Sequence, residues 1–204
     1  MTSDSIPTYL MAPSTCRSAD KVSQHHGYKN AEHLAENLRE GSRIIDVGSG
    51  FSNFGEVVVG ILGSSVDWTN FDLCFNPSTD TPPQLPDNLH NVHGNVFDIQ
   101  EIFGCGQFDY VFCNFMMQYF SLITRRPAVR AARGIIDIAK DGGSIYVGPA
   151  RRPRASMHIV KHLDLDIDQC ADDIARRTRL NLAVRAFCLT VGAYSIMPGT
   201  NKPK

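Results

Sequence analysis

Apolar and polar positions change period several times along this chain, and each change marks an element. Between residues 30 and 39, Ala31, Leu34 and Leu38 recur at helical spacing, with Asn30 placed to cap the first turn and Gly41 to stop the last. Arg43-Ile44-Ile45-Asp46-Val47 is then a short apolar run that ends in Gly48-Ser49-Gly50, the pattern of a buried strand entering a turn. Phe54, Val57, Val58, Ile61 and Leu62 predict a helix over 54–62, and Val66 to Leu73 a second strand. Four prolines make 77–87 a loop or broken helix. Leu89 to His93 is a third strand, Ile99 to Phe103 a helical turn, and Phe108 to Cys113 a fourth strand. A strong amphipathic helix is predicted over 126–139, and Ser144 to Val147 follows Asp141-Gly142-Gly143 as a fifth strand. Residues 158–182 read as mostly helical, and 183–197 as strand-rich with a turn or bulge at Gly192.

Strands that alternate with helices in this way predict an α/β fold, an open parallel sheet covered on both faces. In such a sheet the ligand crevice lies beyond the carboxyl ends of the strands, where strand order reverses, so the residues just after each strand are the ones to examine. Residues 1–29 precede the alternation and read as an N-terminal arm, its first part polar with Pro7 and Pro13; residues 30–204 read as one domain. At 204 residues a second independent core is not expected.

Composition adds few constraints. No apolar run approaches the ~20 residues of a membrane span, and Met1 to Met11 lacks the basic and apolar blocks of a secretory leader. Six cysteines are scattered without a Cys-x-x-Cys pair, so neither a zinc site nor a disulfide framework is expected, and a cytoplasmic location fits. The net charge of −1 hides an asymmetry: residues 1–100 carry 5 Lys/Arg against 12 Asp/Glu, and residues 101–204 carry 15 against 9. Such a split fits either an anionic partner or solvated helix faces.

The turn after the first strand carries the sharpest chemistry. Glycines there allow positive φ and close backbone approach to a ligand, and the amides opening the next helix then face that ligand. By itself such a turn could be a plain strand-to-helix connection. Two carboxylates change that. Asp46 sits at the end of an apolar strand, where an unpaired charge would be costly. Asp72 lies 22 residues beyond Gly50 at the end of the second strand, where it can accept both hydroxyl hydrogen bonds of a ribose.

Asp46, Gly48 and Gly50 match the acidic-x-Gly-x-Gly motif, and with Asp72 the chain resembles the class I S-adenosylmethionine-dependent methyltransferases over about residues 30–150. The resemblance implies a Rossmann-like, open, mostly parallel seven-stranded sheet flanked by helices, with S-adenosylmethionine as cofactor. It implies that Asp46, Gly48, Ser49 and Gly50 border the methionine portion and that Asp72, with Leu73 beside it, holds the ribose. Relatives often have a third glycine where Ser52 stands here. They also often have Gly-Asp after the third strand; here Asn95 follows Gly94, its amide oxygen able to accept a bond from the adenine amino group while Val96 packs on the ring. The plain alternative is that Asn95 turns the chain. Asn114, ending the fourth strand, is placed to contact the cofactor, and 113–120 is not the Asn/Asp-Pro-Pro-Tyr sequence of the subclasses that methylate amino groups of nucleobases or glutamine.

A catalytic group is harder to read, since methyl transfer mainly requires alignment of the acceptor. His25, His26 and Tyr28 lie in a region that covers the cofactor in many relatives, and histidine titrates near neutrality; their plain reading is an exposed arm. Arg125, Arg126 and Arg130 follow the fourth strand and Arg151, Arg152 and Arg154 the fifth, so an RNA or other phosphorylated acceptor is a reading of this edge, beside the first choice of a small molecule. A nicotinamide-dependent oxidoreductase would need a third glycine at position 53, where Asn53 stands. A methyltransferase-like subunit that binds cofactor without catalysis is the non-enzymatic alternative.

Overall fold

The computed structural model describes residues 18–50, 52–73, 85–114, 125–148 and 157–176. Among them six strands form one sheet: β1 (Ser42–Val47), β2 (Val66–Asp72), β3 (Leu89–His93), β4 (Phe108–Asn114), β5 (Ala139–Gly148) and β6 (Met157–Val160). They lie in the order β3-β2-β1-β4-β5-β6, parallel except for the antiparallel pair β5 and β6. The chain winds outward from β1 to β3, returns to β4 and winds outward the other way. Strand order therefore reverses between β1 and β4, and the crevice of a doubly wound sheet opens there. The strand-rich stretch expected over 183–197 falls outside the described residues.

Burial explains why β1 reads as a continuous apolar run. Ile44 and Asp46 point to one face and Ile45 and Val47 to the other, and all four are at most 2% exposed. On the first face α1 (Ala19–His25), α2 (Ala31–Ala35) and α3 (Phe54–Leu62) cover Ile44, Trp68, Leu89, Tyr110 and Phe112. On the second, α4 (Ile99–Phe103), α5 (Arg125–Ile138) and a helix starting at residue 167 cover Ile45, Val47, Val111 and Ile145. α5 presents mainly small side chains inward, Ala128, Ala131 and Ala132 before Ile135 and Ile136. That lets its backbone come close: a Cβ at Gly134 would stand 2.9 Å from the Ile99 side chain.

Four expectations are corrected. The arm does not extend to residue 29, because residues 19–25 are helical and bury Ala19 and Val22 in the core of the first face. The helix expected over 30–39 stops at Ala35 although Asn30 caps it, its Oδ1 accepting the His33 amide at 3.0 Å. The stop has a local cause: the Asn37 side-chain amide donates to the His33 carbonyl at 2.7 Å, displacing the backbone bond a continuing helix needs there. The fifth strand begins at Ala139, with the Asp141-Gly142-Gly143 segment taken into it as an irregularity that shifts register against β4 between Phe108 and Tyr110. Residues 157–160 are a strand at the edge of the described sheet rather than helix, and the helix begins only at 167, where Asp166 Oδ1 accepts the Gln169 amide as its cap.

A buried lysine seals this corner. Lys161, 9% exposed, donates from Nζ to the carbonyls of Ala139 at 2.7 Å and Asp137 at 3.2 Å, just where α5 ends. A cation there satisfies orphaned carbonyls and complements the helix dipole.

Candidate functional site

The last two residues of β2 fasten the connections beside them. The Phe71 carbonyl accepts the Gly48 amide at 2.8 Å, and the Asp72 carbonyl accepts the Gly94 amide at 3.2 Å. The Asp72 carboxylate accepts the Gly50 amide at 2.8 Å. Gly48 and Gly50 have φ of 76° and 57°, a region where a side chain is strained. Gly94 is required for a different reason, since a Cβ there would collide with the Phe71 ring. The turn after β1 is thus shaped by β2, and it stands at the switch point.

Within the turn, Ser49 is 8% exposed and its Oγ has no hydrogen-bond partner among the described residues. Ser52 accepts the Phe54 amide on its Oγ at 3.2 Å and so starts α3. Leu73 follows Asp72 in the turn, half-buried.

Asp46 is 2% exposed and lies in a row that crosses the whole sheet. In register the row runs Asn91, Asn70, Asp46, Phe112, Tyr146, His158, from β3 to β6. Its β3-side half is polar: Trp68 Nε1 donates to Asn70 Oδ1 at 2.8 Å, and Asn70 Nδ2 to Asn91 Oδ1 at 3.0 Å. Its β6-side half is aromatic, Phe112 stacking on Tyr146 at 4.9 Å and Tyr146 on His158 at 4.4 Å between centroids. Asn114 ends β4 opposite Gly148, on the same edge as the glycine turn.

The residues after β3 sit less well with their expected roles. Asn95 Oδ1 accepts the Phe97 amide at 3.1 Å, capping the single 3-10 turn Val96–Asp98. Val96 is 2% exposed and its side chain packs in the core with Ile99.

His25, His26 and Tyr28 do not form an exposed arm. His26 is 8% exposed, its ring 5.0 Å from Phe112 and 5.5 Å from Tyr146. The Tyr28 hydroxyl lies 2.9 Å from that of Tyr146. Burial, and then the bonded Tyr28 hydroxyl, hold the Tyr146 phenol well above its ordinary range, so it stays neutral. Burial pushes the His158 imidazole below the ordinary histidine value. Sequence reasoning missed Tyr146 as part of this cluster, because only the pairing of β5 with β4 brings it under residues 26–28.

On the basic edge, Arg130 stacks over Phe97 at 5.4 Å and approaches Asp98 at 3.9 Å. Arg126 is exposed; Arg125 opens α5; Arg151, Arg152 and Arg154 lie outside the described residues. No described helix is long and apolar enough to cross a membrane.

No protein-family model and no curated protein matches the chain. Solved structures do. A TehB-like S-adenosylmethionine-dependent methyltransferase from Corynebacterium glutamicum matches with 17% identity and a TM-score of 0.47, over 71% of this chain and 70% of its own. The phosphoethanolamine N-methyltransferase 1 of Haemonchus contortus, in complex with phosphoethanolamine and S-adenosylhomocysteine, matches with 15% identity and a TM-score of 0.46, over 78% and 34%. An arsenic(III) S-adenosylmethionine methyltransferase from Chlamydomonas reinhardtii matches with 18% identity and a TM-score of 0.39, over 52% and 38%. The chain thus spans well under two thirds of the length of the algal and nematode proteins.

Proposed function

We propose that the chain is an S-adenosylmethionine-dependent methyltransferase that acts on a small-molecule acceptor. The observation that carries this is the glycine turn at the sheet's switch point with the Asp72 carboxylate at its flank. The residues fit the cofactor. Ser49 offers a buried hydroxyl with no described partner, and the positive-φ glycines let a ligand approach the backbone. Asp72 would accept ribose hydroxyls, with Leu73 beside it, and Asp46, Gly48, Ser49 and Gly50 would border the methionine portion. Asn114 on the β4 edge completes the set, and Asn95 retains a second lone pair on its amide oxygen for the adenine amino group.

Bound S-adenosylmethionine supplies an electrophilic methyl group on a sulfonium. The chain's own task is then to orient an acceptor and keep water out. His25, His26 and Tyr28 are the candidates for the acceptor side, and His26, walled by Phe112 and Tyr146, is the best held of them.

The rival readings lose ground on particular residues. A dinucleotide fingerprint needs a glycine where Asn53 precedes α3. An RNA acceptor would need open cations, and Arg130 on that edge lies close to Asp98, although Arg126 is exposed. Calorimetric titration with S-adenosylhomocysteine is the test: binding is expected, and binding of NAD in its place would sink the proposal. Binding without turnover across an acceptor panel would favour a non-catalytic subunit. The exposed thiol of Cys105 is in keeping with a reducing, cytoplasmic setting.

A further inference from the structure

We propose that Asp72 is a positioning residue for the glycine turn in addition to a ribose ligand, so that one carboxylate shapes both the methionine end and the nucleoside end of the site. The proposal rests on the S-adenosylmethionine reading above. Gly50 adopts φ of 57°, and its amide points to β2 rather than along a helix or strand. At 2.8 Å the bond to Asp72 Oδ2 has the length of a charge-assisted hydrogen bond, the stronger kind.

The clamp is itself anchored. Asp72 ends β2, its carbonyl is tied to Gly94, and Phe71 before it is buried and holds Gly48. A carboxylate offers about four lone-pair directions, so it can retain the Gly50 amide while accepting hydroxyls. The two roles separate in their consequences. A pure ribose ligand matters only to a ligand with ribose hydroxyls. A clamp matters to every ligand that uses the backbone of the turn, and to the turn when nothing is bound.

The first measurement is deuterium exchange of the Gly50 amide in the ligand-free protein. Asp72→Ala should speed it by roughly ten-fold or more, as loss of a hydrogen bond to a charged group predicts. Asp72→Asn, which keeps an acceptor oxygen, should stay within about three-fold of wild type. Unchanged exchange in Asp72→Ala overturns the proposal. The second is calorimetry with S-adenosylhomocysteine and its 2′,3′-dideoxy analogue. Asp72→Ala should bind the dideoxy analogue roughly ten-fold more weakly than wild type does. Equal affinity would mean that Asp72 acts on the ribose alone. Failure of the wild type to bind S-adenosylhomocysteine sinks the cofactor reading instead, and the exchange measurement still decides the clamp.

Discussion

The hydroxyls of Tyr28 and Tyr146, 118 residues apart in the chain, stand 2.9 Å from each other. The contact ties the connection between α1 and α2 to β5, at the strand ends where the candidate acceptor residues lie. Tyr28→Phe and Tyr146→Phe should each cost about 1 kcal/mol, and the double variant little more than either alone, because both remove the same bond. Urea denaturation followed by the fluorescence of Trp68, the single tryptophan, measures this. Additive costs would mean that the hydroxyls are not coupled.

The same pair has an alkaline signature. Tyr146 is held neutral in the fold, with its pKa raised by burial and by Tyr28. Its contribution is fully present below the unfolded phenol's pKa of about 10 and is lost as pH rises above it, where the unfolded chain ionises first. Stability should therefore fall on the alkaline side of that value, and Tyr146→Phe should flatten the fall.

Gly55 inverts a general rule. In a helix, Gly→Ala normally stabilises by about 1 kcal/mol. Here the added Cβ would collide with the Trp68 ring and stand 2.8 Å from Asn70 Oδ1, the acceptor of the indole N–H. Overpacking costs about 1–3 kcal/mol, and a strained indole bond adds to it. Gly55→Ala should destabilise, with a shift in Trp68 emission. A stabilised variant with unchanged emission would refute the close approach.

Asp109 and Asp137 should oppose each other in acid. Burial alone would raise the Asp109 pKa, but the Lys140 ammonium, the Arg43 amide and Arg39 together bring it below the ordinary value. Lys140 lies at 2.8 Å and the Arg43 amide donates at 3.0 Å. Its stabilisation is present above the unfolded carboxyl's pKa and is lost as pH falls. The partly exposed ion pairs limit it to about 1 kcal/mol. Asp137 is raised by burial despite Arg133 and Lys161, so its contribution is lost as pH rises instead. Asp109→Asn should reduce the acid sensitivity of the denaturation midpoint, and Asp137→Asn should increase it.

Lys161→Met keeps most of the apolar stem and removes the ammonium from the end of α5. Two carbonyls lose a donor in a buried place, at a cost of about 2 kcal/mol. Hydrogen exchange should show the last turn of α5 and the start of β5 opening together. Protection there equal to wild type would assign the lysine no such role.

What could be read from the residues follows from how each element is stabilised. β1, β2 and β4 were legible because central parallel strands carry apolar side chains on both faces, as Ile44, Ile45 and Val47 do. α5 was legible because Ala128, Ala132, Ile135 and Ile136 repeat at helical spacing. α1 was not, since it buries little beyond Ala19 and Val22. β6 was hidden for the opposite reason: four residues at the edge of the described sheet, Met157 to Val160, two half-buried and two exposed, make no strong pattern, and their pairing with β5 is a tertiary event. The end of α2 depended on one side chain, Asn37, choosing the His33 carbonyl.

The candidate site divides along the same line. Asp72 and the glycine turn are local and could be seen from spacing. That the Asp72 carboxylate would reach the Gly50 amide, or that Val96 would turn into the core, depends on how neighbouring strands pack.

The Tyr28–Tyr146 contact also bears on the order in which the molecule is completed. Synthesis at roughly 5–20 residues per second puts on the order of ten seconds between the two tyrosines leaving the ribosome. During that interval the Tyr28 hydroxyl and the His26 ring have no Tyr146 to rest on. The wall around His26 is therefore among the last parts of this fold to close, although the residues that build half of it are among the first to be made. Ribosome-bound chains that stop before β5 should be cut by protease between residues 19 and 30, and chains that include it should resist.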